Sequence, residues 1–291
     1  FGLDHGERYE QLQEALARRL DMVASPLASL LIFFPFLSND LGSWSPGHRL
    51  KQVSDECDRL IYDEIHERRA QDISTRTDVL SLLLAARDEQ GEGLDDKSLR
   101  DELMTLLVAG HETTATALTW ALYWIHSRPN IYRRLMDELK TCDISDPLAI
   151  TRLPYLAAVC NETMRIYPVA MLTFPRQAQT DLELQGYHIK AGTYLMGCIY
   201  LIHQHPDVYK RPKEFNPDRF LENTYSPYEF IPFGNGVRRC VGAALAQMEL
   251  KLVLGTLLLT TSLELADKKP VKPQRRGVTL GASPVMLRRS D

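Results

Sequence analysis

In the first half of the chain, apolar residues recur at the spacing of one buried helix face. From Glu7 to Val23 the stripe is Leu12, Leu16, Leu20 and Val23, set among good helix formers. From about Arg49 to Ala70 it is Val53, Leu60, Ile61 and Ile65, and a shorter helix is expected over Thr77–Arg87, ending near Gly91. Pro26, Pro35, Gly42, Pro46 and Gly47 interrupt regular structure between the first two. The apolar run Leu27–Leu37 contains Pro35 and is too short to span a bilayer. It reads as a buried core segment, or else as the lip of a substrate channel or a membrane-dipping loop. A long helical pattern then covers about 96–127. From Leu103 to Ile125 it is apolar nearly all round, which predicts a helix buried in protein. Gly110, His111 and Glu112 at its middle would be costly in lipid. Helices over Pro129–Cys142 and Pro154–Tyr167 follow, the second stopped by Pro168, which lacks a backbone donor.

After Pro168 the texture changes. Val169–Arg176, Leu182–Ile189 and Thr193–Ile199 read as short strands, with Gly186 and Gly192 at turns. A proline-rich loop leads to Phe233, a last helix covers about Cys240–Thr260, and Val278–Leu287 reads as a hairpin. The expected fold is mainly α with small β-sheets (α+β). It forms one domain over 1–291, helical over 1–168, with strands, a glycine-rich loop at 233–242 and the final helix over 169–291.

Composition adds exclusions. At 44% hydrophobic and 25% charged the chain is ordinary for a globular protein, and its net charge of −4 makes no case for nucleic acid as a partner. Five scattered cysteines without a C-x-x-C pair do not form a disulfide framework, so a reducing, cytoplasmic setting is expected. The chain opens on Phe1 rather than Met, and is therefore expected to be part of a longer protein.

The strongest chemical signal is Phe233-Gly-Asn-Gly-Val-Arg-Arg-Cys-Val-Gly242. Gly234 and Gly236 let the backbone wrap tightly and approach a flat group. Cys240 stands at the start of the expected helix, where unpaired amides and the dipole favour a thiolate and can tune a bound metal. Arg238 could pair with an acidic group, and the small Gly242, Ala243 and Ala244 leave room against the helix. The bland reading is a glycine-rich loop before a buried cysteine. A second motif, Ala109-Gly-His-Glu-Thr-Thr114, lies inside the long helix. Gly110 weakens the helix there and the Thr113 hydroxyl can bond back to the Ala109 carbonyl. Taken alone it could be a polar notch satisfied within a core. It is not a zinc-protease motif, since Ala115 stands where the second histidine belongs. A third, Glu162-Thr-Met-Arg165, sets two charges on one helix face, and a fourth is Phe215-Asn-Pro-Asp-Arg219-Phe220.

These four motifs, in this order, resemble the cytochrome P-450 family, and the matches extend along nearly the whole chain but correspond only to the C-terminal part of the family's length. The resemblance implies haem b as cofactor, with Cys240 as axial ligand of its iron and Phe233, Gly234, Arg238 and Gly242 around it. Arg176 would contact a haem propionate, unless it is a plain surface arginine. Ala109 and Gly110 would flank an oxygen groove in which Glu112 and Thr113 manage protons. Glu162, Arg165 and Arg219 would form a structural network behind the haem loop. Val169, Ala170, Met171, Leu172 and Thr173 would line the substrate pocket, with Leu106–Ala109 and the turn near Ala282; their character suggests an apolar substrate. The family's N-terminal part, with further haem contacts, is absent from this chain.

The implied activity is insertion of one atom of dioxygen into an apolar substrate, with electrons from a separate ferredoxin or flavin reductase. Arg238, Arg239 and Lys251 are candidates for docking an acidic donor. The motif details look most like bacterial or cyanobacterial members acting on fatty acids or similar lipophiles. Two alternatives stand beside it. One is a haem-thiolate isomerase or dehydratase, against which the Glu112–Thr113 pair argues; the other is a haem-free remnant acting as an interaction module.

Overall fold

The computed structural model describes residues 2–3, 5–24, 39–40, 42–43, 45–143, 145–146, 148–267, 269–276 and 279–290. The Leu27–Leu37 run lies outside them. The fold is α+β, in two compact units, Phe1–His111 and Glu112–Asp291, and one helix passes from the first into the second.

The first unit contains α1 (Glu7–Ala24), α2 (Pro46–Arg69), α3 (Val79–Ala85) and the start of α4 (Asp96–His126). Both α2 and α3 begin on a capping side chain. Ser45 Oγ accepts the His48 N–H at 3.1 Å, and Asp78 Oδ1 accepts the Ser81 N–H at 3.0 Å. The expected stripes meet in one core, where Leu12, Ala15 and Leu16 of α1 join Leu60, Ile61 and Ile65 of α2, with Leu80, Leu99 and Leu103 beside them. Next to this core Arg68 is buried between Glu64 and Asp78.

The second unit holds the rest of α4, then α5 (Pro129–Leu139), α6 (Pro154–Ile166), α7 (Ile199–His203), α8 (Arg219–Glu222) and α9 (Ala243–Thr260). Its core gathers Trp120, Ala121 and Ile125 of α4, Leu135 and Leu139 of α5, Leu156 and Val159 of α6, and Leu250, Leu254 and Leu258 of α9. Strands β1 (Arg176–Gln177), β2 (Leu182–Leu184), β3 (Tyr187–Ile189), β4 (Tyr194–Leu195), β5 (Leu263–Leu265), β6 (Pro273–Arg276), β7 (Thr279–Ala282) and β8 (Leu287–Arg289) form antiparallel pairs. The pairs among the described residues are β1–β4, β2–β3, β5–β8 and β6–β7. The Trp120 Nε1–H donates to the Leu280 carbonyl at 3.1 Å and ties α4 to β7.

Four expectations change. Helix α4 is not buried throughout: between Met104 and Thr116 no residue is fully buried, and Leu106 and Val108 are 39% and 43% exposed. An apolar composition makes burial favourable, but only a packed neighbour supplies it. The segment 169–176 is not one strand, because Ala170 and Leu172 make single bridges to Thr279 and Cys198 before β1 begins. The segment 193–199 is strand only at Tyr194–Leu195, and Ile199 already opens α7, whereas 182–189 turns at Gly186 as expected, with Gln185 and Gly186 both at positive φ (52° and 82°). The tail is no hairpin on itself: β7 pairs with β6 while β8 returns to β5. Pro284, which has no N–H to give a ladder, separates the two.

Candidate cofactor-binding site

The Phe233–Gly242 loop closes on itself. The Cys240 N–H donates to the Phe233 carbonyl at 2.9 Å, the Gly234 N–H to Ile231 at 3.0 Å, and the Arg239 N–H to Gly236 at 3.0 Å. Gly234 and Gly236 have φ of 68° and 67°, where an L side chain would be strained. Asn235 pins the outside of the loop through Nδ2–H to the Pro227 carbonyl at 2.8 Å. Helix α9 starts at Ala243 rather than Cys240, with Gly242 as its cap residue. Cys240 therefore sits on the approach to the helix, its own amide already used by the loop. The sulfur is on the surface, and a Cβ at Gly242 would lie 3.9 Å from it.

Near Cys240 in the chain, apolar side chains stand in the open: Val237 is 91% exposed, Val241 89%, and Leu245 in the first turn of α9 55%. Apolar surface left in water is unfavourable by roughly 25 cal/mol per Å², so such side chains near a thiol fit a large flat apolar group covering them. Arg238 is exposed on the same loop, as a partner for an acidic substituent would be. Among the described residues no group of three or more His, Cys, Asp or Glu could hold a bare metal ion. One exposed thiol on a turned-back loop, with an exposed arginine two residues before it, fits the haem that the resemblance implies. Arg176 lies on β1, exposed and paired across to Leu195.

Behind the loop is a buried ionic network. Glu162 and Arg165 are 0% exposed and Arg219 4%. The Glu162 carboxylate accepts from Arg165 Nε at 2.7 Å and Nη2 at 2.9 Å, from Arg219 Nε at 3.0 Å and from the Asn216 amide at 2.8 Å. The second positive charge is spread over carbonyls: Arg165 donates to His203 at 2.8 Å, and Arg219 to Lys210 at 3.1 Å and Glu214 at 3.2 Å. Two residues from adjacent turns of α6 are thus joined to one from α8.

Glu112 and Thr113 are half-buried on α4, and Ala109 and Gly110 are exposed on the preceding turn. The Thr279 hydroxyl at the head of β7 donates to Glu112 Oε1 at 3.4 Å. A lone threonine in a short strand carries no signal in the sequence, and this contact was not expected from it. In 169–173, the Val169 carbonyl accepts the Leu280 N–H at 2.8 Å, Thr173 Oγ1 accepts the Gly197 N–H at 2.9 Å, and Leu172 is 43% exposed. Ala282 ends β7 buried in the core. Lys251, a docking candidate in the sequence, is half-buried and donates to the Thr151 carbonyl at 2.8 Å.

A family model described as cytochrome P450 matches residues 1–289. Cytochrome P450 135B1 of Mycobacterium tuberculosis is 36% identical over 281 residues, covering 96% of this chain and 57% of that protein. A (1S)-1-hydroxy-luvungin A synthase of Citrus sinensis is 34% identical over 231 residues, 76% of this chain and 47% of that one. The crystal structure of the cytochrome P450DA heme domain superposes with a TM-score of 0.80 at 26% identity, covering 99% of this chain and 60% of that one. The chain spans about half the length of the curated relatives it matches, 57% of the mycobacterial protein and 47% of the Citrus one.

Proposed function

The chain belongs to the cytochrome P450 family, and from that premise we propose that it serves a haem-thiolate monooxygenase that inserts one atom of dioxygen into an apolar organic substrate. The observation that carries this reading is the exposed Cys240 on a self-closed loop, with exposed Val237, Val241 and Leu245 close by in the chain. Haem b, when bound, supplies the activation of dioxygen, and Cys240 as thiolate supplies electron density to its iron. Phe233, Gly234 and Gly242 shape the loop around the ligand, and Arg238 and Arg176 neutralise propionates as charge-assisted partners. Glu112 and Thr113 hold and pass protons, with the Thr279 hydroxyl steadying the Glu112 carboxylate. Ala109 and Gly110 leave space on α4, and Val169–Thr173 supply an apolar wall for a fatty acid or similar lipophile. Electrons come from a separate ferredoxin or flavin reductase in the cytoplasm, docked in part through Arg239.

The test is the difference spectrum of the haem-loaded, reduced protein with carbon monoxide. The long-wavelength band of a thiolate-ligated complex is expected, and Cys240→Ser should abolish it. Retention of that band in the variant would remove Cys240 as ligand. Thr113→Ala should raise oxygen consumption relative to product several-fold. Product formed without oxygen consumption, and unaffected by Thr113→Ala, would instead favour isomerase or dehydratase chemistry, which needs no proton delivery to oxygen.

A further inference from the structure

His203 is the last residue of α7 and is fully buried. It does two jobs at once. Its backbone carbonyl accepts from Arg165 Nη1 at 2.8 Å, inside the ionic network. Its ring Nε2 accepts the N–H of Ile231 at 3.0 Å. The Ile231 carbonyl accepts the Gly234 N–H, and the Phe233 carbonyl accepts the Cys240 N–H. A run of hydrogen bonds and short covalent links therefore leads from the Glu162 carboxylate through Arg165 and His203 to the loop that carries the thiol.

A ring nitrogen that accepts is unprotonated, so a neutral ring here carries its proton on Nδ1. Nδ1 is buried facing the Met164 and Arg165 backbone, with no hydrogen bond closed to either. The ring stacks on Phe230 (centroids 5.5 Å, 29°) and meets Tyr209 edge-on (6.3 Å, 77°), which leaves it little freedom to turn. Protonation at Nε2 would set two N–H groups against each other and add a cation beside Arg165. Burial and Arg165 both hold the ring neutral.

We infer that His203 is a positioning residue for the Cys240 loop, its neutral Nδ1–H ring acting as the acceptor that anchors Ile231, and through it Phe233–Cys240, to the Glu162–Arg165–Arg219 network. Only the last link, from loop position to sulfur ligation, rests on the function proposed above. Neither spacing nor composition marks this histidine. It stands in a largely apolar stretch, IYLIHQHP, where a core imidazole is the ordinary reading.

The experiment has three readouts on the full protein in its reduced, carbon monoxide-bound form. Nitrogen NMR of the histidine rings should show His203, assigned by its loss in His203→Gln, with Nδ1 protonated and Nε2 bare; a proton on Nε2 overturns the proposal without any variant having to fold differently. Amide exchange at Ile231 should quicken about tenfold in His203→Phe, which keeps a ring but removes the acceptor. It should return to within about threefold of wild type in His203→Gln, whose carbonyl can replace Nε2. Wild-type protection in the Phe variant, or no rescue by Gln, overturns the proposal. Finally, the thiolate-type carbon monoxide band should weaken in His203→Phe and persist in His203→Gln. If exchange responds and the band does not, the reach to Cys240 is overturned. If the wild type itself lacks the band, the proposed function fails while the first two readouts still decide the role of His203.

Discussion

In water the His203 imidazole would titrate near 6.5; in the second unit burial first, and Arg165 second, push it down to about 4. The unfolded chain therefore binds a proton between those values that the folded one refuses. Stability should be full at and above neutral pH, fall as pH drops from about 6.5, and level off near 4. That loss amounts to on the order of 3 kcal/mol. His126, lowered by burial, acts in the same direction. Urea denaturation at pH 7.5 and pH 5 should show the difference, and His203→Gln should reduce it. The Asp78 carboxyl behaves oppositely. Burial would raise it, but the Ser81 amide and hydroxyl with Arg76 and Arg68 outweigh that and hold it well below the usual carboxylate range. Its contribution is present above about 4 and lost only as pH falls further, so the two units should respond to acid in different windows.

Among the elements, α9 shows how packing overrules propensity. A glycine inside a helix is less favourable than alanine by about 1 kcal/mol. Yet at Gly255 a Cβ would lie 2.3 Å from Ile150 Cγ2 and 3.3 Å from Leu139 Cδ2. The glycine is what lets α9 approach the 3-10 turn at Ala149–Arg152 and the end of α5. Gly255→Ala should therefore destabilise by about 1–3 kcal/mol rather than stabilise. Adding Ile150→Ala should cost less in the Gly255→Ala background than in the wild type, read as urea midpoints. In the first unit, Asp78→Ala should destabilise more than Asp78→Asn. Asparagine still caps α3, whereas alanine loses both the cap, worth about 1 kcal/mol, and every contact to Arg68.

Across the molecule, the α+β class and most helices were legible because their apolar spacing is local: α1, α2 and α6 begin and end within a few residues of their expected bounds. The partners in the ionic network are not local. Glu162 and Arg165 are neighbours on one helix, but Arg219 joins them across 57 residues. Glu162→Gln would leave two buried guanidiniums without a counter-charge and should cost about 3–5 kcal/mol, measured by denaturation and by amide exchange along α6 and α8. By itself the sequence determined the family, the thiol at position 240, the glycines that let its loop turn back, and the helices, because each depends on residue type and near spacing. Tertiary structure alone decided that the middle of α4 is exposed, that Lys251 is engaged within the fold, that β7 and β8 pair with different strands, and that Thr279 and His203 reach the candidate site. Those facts depend on which distant surfaces meet, and hydrophobic periodicity carries no record of the partner.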